Sequence, residues 1–256
     1  MIRALGRKQS SKNADWLEVY RNIERYVSLE EVLEAEARTL AEMTRILSGY
    51  KRPIYAYSAG KDSIVLAELC RKAGVDVGVM SITSLEYPEY QKWIDEHAPK
   101  GVVMVNTGQD LEWLSRNLHW FLPLKDDPDR QSPVNIRIQH NFYDSHGADI
   151  ILLGRRKADG NYVGRNGSNI YTDGSGRTKY NPIADWEHEL LLGYIHYKKL
   201  PLPPIYDWAD GFVQGTHPWF YREVHTDRRT VLQEINEIDS TLLAEAVKVV
   251  PELGKI

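Results

Sequence analysis

One cysteine, Cys70, stands in the 256 residues, and that scarcity removes several kinds of chemistry at once. A single thiol closes no intrachain disulfide and builds neither a cysteine-rich zinc site nor a cysteine-ligated iron–sulfur cluster. Cys70 follows the apolar run that starts at Ile64, so it reads as a small core hydrophobe. The eight histidines show no His-x-x-x-His or similar spacing, and zinc is not expected. No apolar run is long enough to cross a membrane. Residues Met1 to Asn13 have basic residues but no apolar segment of a secretory leader, so a loose tail and a cytoplasmic location are expected. An excess of positive charge is missing too. Lys and Arg number 32 against 36 Asp and Glu, a formal net charge of −4, so no global field favours nucleic acid. The chain carries no internal repeat and no low-complexity tract. What is present, 42% hydrophobic and 27% charged residues, is ordinary for a globular chain with a real core.

Apolar spacing predicts helix from about Asp15 to Leu47, with Ser28 and Glu31 forming a capping box. Short apolar strands follow at Ile54–Tyr57, Val75–Ile82, Val102–Val105 and Ile150–Leu153. Helical patterns separate them at Ile64–Leu69, ended by Gly74, and at Pro88–His97, Leu111–Leu118 and Ile136–Ser145. This alternation predicts an α/β fold with a doubly wound, mostly parallel sheet. Tyr171 to Tyr180 reads as a hairpin around Asp173-Gly174 and as a mobile flap over the site. Trp186–Lys199 is helical in pattern, Pro201, Pro203 and Pro204 enforce an extended stretch, and a helical region runs from Asp227 or Thr230 to Val250. The expected division is an N-terminal tail and helical segment (1–50), a nucleotide-binding domain (51–220) and a C-terminal helical extension (221–256).

The strongest local signal is Ser58-Ala59-Gly60-Lys61-Asp62-Ser63, a small-residue loop between a strand and a helix. Such a loop aims backbone N–H groups at an anion from the positive end of the helix dipole. It is not a Walker A loop: Tyr55 stands where the first glycine belongs, and Asp62 replaces the magnesium-binding hydroxyl. It is not a Rossmann fingerprint either, since Gly-x-Gly-x-x-Gly is absent. Ser81–Glu86 and Gly154–Lys157 also fall at strand carboxyl ends, where doubly wound sheets bind ligands. Lys61 reads as a phosphate ligand, and Ser58 and Ser63 as hydroxyl donors. Asp62 is left open as an Mg²⁺ ligand, a partner of Lys61 or a complement to the dipole. Arg155 and Arg156 have guanidinium forks suited to phosphate or sulfate. Glu86 is either a helix-start carboxylate or a substrate contact.

Ser-x-Gly-Lys-Asp-Ser resembles the pyrophosphate-binding loop of the N-type ATP pyrophosphatases and the phosphoadenosine phosphosulfate (PAPS) reductase family. Further landmarks follow in the family's order: Thr83-Ser84-Leu85-Glu86-Tyr87-Pro88-Glu89, Gly154-Arg155-Arg156, Asn181-Pro182-Ile183-Ala184-Asp185-Trp186, Tyr194-Ile195, Leu200-Pro201 and Ile205-Tyr206-Asp207. The resemblance runs from about Ile54 to Trp219 and implies the adenine nucleotide alpha-hydrolase-like, HUP-type fold. It also implies that Ser58 to Ser63, Thr83 and Gly154 bind the nucleotide, with Lys61, Arg155 and Arg156 as catalytic candidates.

The departures bear on the reaction. Family reductases use a cysteine near the C-terminus, whereas Thr216 of Gly215-Thr216-His217-Pro218-Trp219 stands where many relatives have the first thiol. A threonine hydroxyl has no redox couple and no accessible alkoxide at neutral pH. Ile82 replaces a frequent Asp, and Ala59 a frequent Gly. Thiol-free relatives cleave ATP between the α and β phosphates. The resemblance therefore implies ATP with Mg²⁺, no iron–sulfur cluster, an unidentified acceptor and, as in sulfate adenylyltransferase, room for a partner subunit. Three alternatives stay open: a non-catalytic ATP- or PAPS-binding module, a reductase using an external thiol, and a nucleic-acid-modifying enzyme using the basic stretch Arg155–Lys179.

Overall fold

The computed structural model describes residues 2–6, 11–123, 134–222 and 227–255. Part of the expected tail (1 and 7–10) and residues 223–226 and 256 of the expected C-terminal extension lie outside the described residues. The expected first helix is two: α1 (Asn13–Arg21) and α2 (Leu29–Leu47), with a 3₁₀ turn at Ile23–Arg25 between them. Ser28 starts α2 with the capping box read from sequence, its hydroxyl accepting from the Glu31 N–H while the Glu31 carboxylate takes the Ser28 N–H.

Strand β1 (Pro53–Tyr57) leads into α3 (Lys61–Lys72), β2 (Gly78–Ile82), α4 (Pro88–His97), β3 (Val102–Asn106), α5 (Leu111–Arg116), α6 (Val134–Ser145) and β4 (Ile150–Leu152). Then come β5 (Ile170–Thr172), β6 (Thr178–Tyr180), α7 (His188–Lys198), the short α8 (Gly211–Gln214), α9 (Arg228–Ile238) and α10 (Ser240–Val249). The expected single terminal helical stretch is broken at Asp239, whose side chain caps α10 by accepting from the Thr241 N–H.

The sheet order is β3-β2-β1-β4-β6-β5, and every pair is parallel except β5 with β6. Alternation along β1 sends Ile54 to one face, with Phe142 and Tyr143 of α6. It sends Tyr55 and Tyr57 to the larger core with α3, α4 and α7. Connections that leave β1 and β4 in opposite directions open a crevice at their carboxyl ends, and the hexapeptide sits there.

Two expectations are corrected. The hairpin is no free flap, because β6 pairs with β4 at Ile151↔Lys179 and Leu152↔Tyr180 and so extends the sheet. Backbone groups that pair in a ladder are not available to swing. The N-terminal segment is not loose over residues 2–6 either. Leu5 is 1% exposed in the main core, and the Ala4 and Leu5 N–H groups donate to the buried Glu189 carboxylate at 2.6 and 2.8 Å. Both donors meet Oε1, while Oε2 is buried without a partner among the described residues. Among the described residues no helix is long and apolar enough to cross a membrane.

Candidate nucleotide site

The loop closes on itself through Ser63. Its hydroxyl donates to the Gly60 carbonyl at 2.9 Å and accepts from the Ser58 N–H at 3.1 Å and the Ser58 hydroxyl at 3.3 Å. The Ser58 carbonyl is held by the Tyr90 hydroxyl at 2.7 Å. Tyr206, from the Ile205-Tyr206-Asp207 landmark, accepts from the Lys61 N–H at 2.7 Å. The N–H groups of Ala59, Gly60, Asp62 and Ser63 donate to no group among the described residues. Open donors at the first turn of a three-turn helix make an anion cradle.

Ala59 reaches this shape in a strained state. Its φ is +50°, the left-handed region that costs a residue with a Cβ about 1–2 kcal/mol. Ala59→Gly is expected to raise stability by about 1 kcal/mol, the relief being partly offset by the freer unfolded chain. Urea titration reads this change as a higher midpoint at an unchanged slope.

Across the crevice, Gly154 brings the end of β4 against α3. A Cβ there would lie 3.2 Å from the Asp62 carbonyl carbon and oxygen, so any larger residue needs this backbone to shift by a few tenths of an ångström. Arg155 lines the resulting cavity of about 240 Å³ together with Ser58, Asp62, Ser63 and Gly154. Tyr171 of the hairpin lies beside Arg155, whose charge and hydrogen bond partly offset the upward push of burial on the phenol.

Lys61 and Arg156 do not face that cavity. The Lys61 side chain is 3% exposed, with Nζ 2.7 Å from Asp62 Oδ2 and 5.5 Å from the centre of the Trp16 ring. Arg156 is fully buried. Its Nε donates to Asp62 Oδ1 at 2.6 Å, Nη1 to the Trp186 carbonyl at 3.2 Å, and Nη2 to Asp159 at 3.1 Å and to His188 Nδ1 at 3.1 Å. Burial opposes the Asp62 charge, but the Arg156 guanidinium and the Lys61 ammonium overcome it and hold the carboxyl well below its usual range. Burial, then Arg156 and Lys61, push His188 down to about 3, so its ring is neutral. Two cations meet two carboxylates here and cancel. The positive character facing the cavity comes from Arg155 and the open amides.

Both Asp62 oxygens are therefore engaged by cations. No group of three or more His, Cys, Asp or Glu gathers into a metal cluster among the described residues. The residues present do not fit a metal ion held by Asp62, because a magnesium ion needs free oxygen donors.

A second cavity of about 350 Å³ adjoins the loop at Ser58 and is lined by Thr83, Glu86, Tyr90, Gln109, Thr216 and His217. Thr216 lies beside Gly60, with Oγ1 3.3 Å from where a Cβ would stand. Glu86 Oε1 accepts from the Thr83 N–H at 3.2 Å and hydroxyl at 3.1 Å. Its Oε2, like the Ser81 hydroxyl, is buried without a partner among the described residues. Burial raises the Glu86 carboxyl to about 7 against the opposing Thr83 hydrogen bonds. Glu86 thus closes the turn before α4 and lines the cavity as well.

Sequence reasoning placed Ser58 to Ser63, Thr83, Gly154 and Arg155 at one sheet edge, where the structure has them, and the structure adds Thr216 beside them. It missed that Tyr206 and Tyr90 brace the loop, and that Trp16, Asp159 and His188 surround Lys61 and Arg156. Tyr206 was visible only as part of a landmark, and the others carry no local signal.

No curated protein matches the chain. Among solved structures it is similar to the phosphoadenylyl-sulfate (PAPS) reductase of Candida auris in a phosphate complex, at 16% identity and a TM-score of 0.49, covering 77% of this chain and 92% of that one. It is similar also to the NMN synthetase of Francisella tularensis, at 11% identity and a TM-score of 0.49, covering 86% and 93%. A third is the NH3-dependent NAD synthetase of Campylobacter jejuni, at 11% identity and a TM-score of 0.43, covering 88% and 92%. The family model of the phosphoadenosine phosphosulfate reductase domain matches residues 52–224, and the chain belongs to that family.

Proposed function

We propose that the chain is an adenine-nucleotide-binding enzyme that cleaves ATP between the α and β phosphates. AMP passes to an oxyanion or carbonyl acceptor, and pyrophosphate leaves. The observation that carries this reading is the loop itself, whose Asp62 and Ser63, with unpaired N–H groups, line one cavity with Arg155. Family membership supports an adenine nucleotide as the ligand. Cys70 argues against thiol chemistry within the chain. It is fully buried on α3, and burial pushes its thiol far up, whereas a nucleophilic cysteine needs an exposed thiolate.

In this reading the amides and Arg155 hold the β,γ-diphosphate and take up charge as it leaves. Asp62, pinned by Lys61 and Arg156, sets the first turn of α3 rather than a metal ion. The cavity beyond Ser58 accommodates the rest of the nucleotide and the acceptor.

Incubation with magnesium ATP and the dialysable small molecules of a cell extract tests the reading. Pyrophosphate and acceptor-bound AMP are expected in equal amounts, and Arg155→Ala is expected to lower their rate about 100-fold, as for loss of one charge-stabilising donor. Formation of ADP and phosphate, or of sulfite from PAPS with added thioredoxin and no pyrophosphate, contradicts it.

A further inference from the structure

A cavity of about 520 Å³ lies away from the loop. It lies between α3 and α4 and reaches Asp76 and Gly101, just before β2 and β3, towards the opposite end of the strands. Its walls are apolar and aromatic. Tyr55 and Tyr57 project from β1, Ala67 from α3, and Trp93 from α4 with His97 stacked on it at 4.7 Å and 9°. Protein interiors are close-packed, and a void of this size lies in the range of small-molecule sites, roughly 300–1,000 Å³.

A second observation points to a ligand. Tyr55 is 2% and Tyr57 5% exposed, yet neither hydroxyl has a hydrogen-bond partner among the described residues. Burial pushes both phenols up, so both are protonated donors at neutral pH. Tyr55 cannot turn away freely. Its ring lies on Gly78, where a Cβ would come within 2.7 Å of the ring carbon that bears the hydroxyl. Neither hydroxyl is among the sealed, unpaired polar atoms of the interior, so each opens on the cavity, where a ligand acceptor replaces water. The rim charges balance: Glu68 is paired with Arg71 by two 2.9 Å hydrogen bonds, and Asp76 and Lys100 add one charge of each sign to the lining. The rim therefore has no net preference for an ion.

We propose that this cavity is a second binding site, for a neutral planar heteroaromatic molecule. The ring lies against Trp93, and its carbonyl or ring-nitrogen acceptors meet the Tyr55 and Tyr57 hydroxyls. The site is distinct from the phosphate loop, although β1 and α3 contribute to both.

Calorimetric titration with quinazolin-4-one, benzimidazol-2-one and indazole tests the site, followed by a crystal structure of the tightest complex. At least one probe is expected to bind, with density in this cavity. The double variant Y55F/Y57F, which keeps both rings, is expected to weaken that probe at least tenfold with little change in thermal midpoint. Ala67→Leu is expected to abolish binding by filling the space. Absence of binding by all three probes overturns the proposal. So does density elsewhere, or equal affinity in the double variant. The tyrosine variants keep the test decisive even if Ala67→Leu does not fold.

Discussion

Arg156→Ala lowers stability by about 3–5 kcal/mol, the cost of breaking a buried ion pair from one side. For a domain of this size that is a fall of roughly 10 °C in thermal midpoint. The guanidinium joins four groups from separate parts of the chain: Asp62 on α3, Asp159, the Trp186 carbonyl and His188 at the start of α7. Its removal leaves Asp159 without its 3.0 Å ion pair and Asp62 with Lys61 alone. His188 does not compensate, since its ring is neutral. Arg156→Lys restores the charge but not the planar fork, and is expected to recover less than half of the loss. Differential scanning calorimetry of the three proteins measures this directly. An Arg156→Ala midpoint within 1 °C of the parent would show that the network carries no weight.

The second large effect is a pH dependence centred on Glu86. Its carboxyl is raised to about 7 in the folded chain, chiefly by burial, whereas an unfolded glutamate titrates near about 4.3. A folded pKa above the unfolded one means that the native state holds the proton more tightly. The stability from this group is complete below the unfolded pKa and is lost as pH rises towards 7, beyond which the loss is constant. The full loss is about 3–4 kcal/mol. Glu86→Gln keeps an acceptor for the Thr83 N–H and carries no charge at any pH. The variant and parent are expected to agree within about 1 kcal/mol at pH 5, with the variant more stable by about 3–4 kcal/mol at pH 8. Urea unfolding at both values reads the difference. A constant offset between the two proteins across this range contradicts the assignment.

The order of strands and helices was legible because each parallel strand is a short apolar run bounded by punctuation that acts locally. Ser28 caps α2 with its own neighbours, Pro88 opens α4, and Gly74 turns the chain after α3 at a φ of +76°. The placement of the hexapeptide followed from the same local rules. The fate of Lys61 did not. Whether that side chain reaches a phosphate or turns inward depends on Trp16, 45 positions earlier, and on Arg156, which competes for Asp62 from 94 positions later. No local pattern encodes such a balance. The hairpin was recognisable as a hairpin, but its role as an extension of the sheet rests on β4 pairing, a non-local fact. The docking of Leu5 depends likewise on a buried glutamate on α7.

The central claim is that open amides and Arg155, not Lys61, receive a nucleotide's diphosphate. A crystal structure of the chain with ATP tests it most directly. The predicted result places the β,γ-diphosphate within hydrogen-bond distance of the Asp62 and Ser63 N–H groups and the Arg155 guanidinium, with Lys61 still on Asp62. A nucleotide seated away from the loop, or a diphosphate held by Lys61 after it has left Asp62, would contradict the claim.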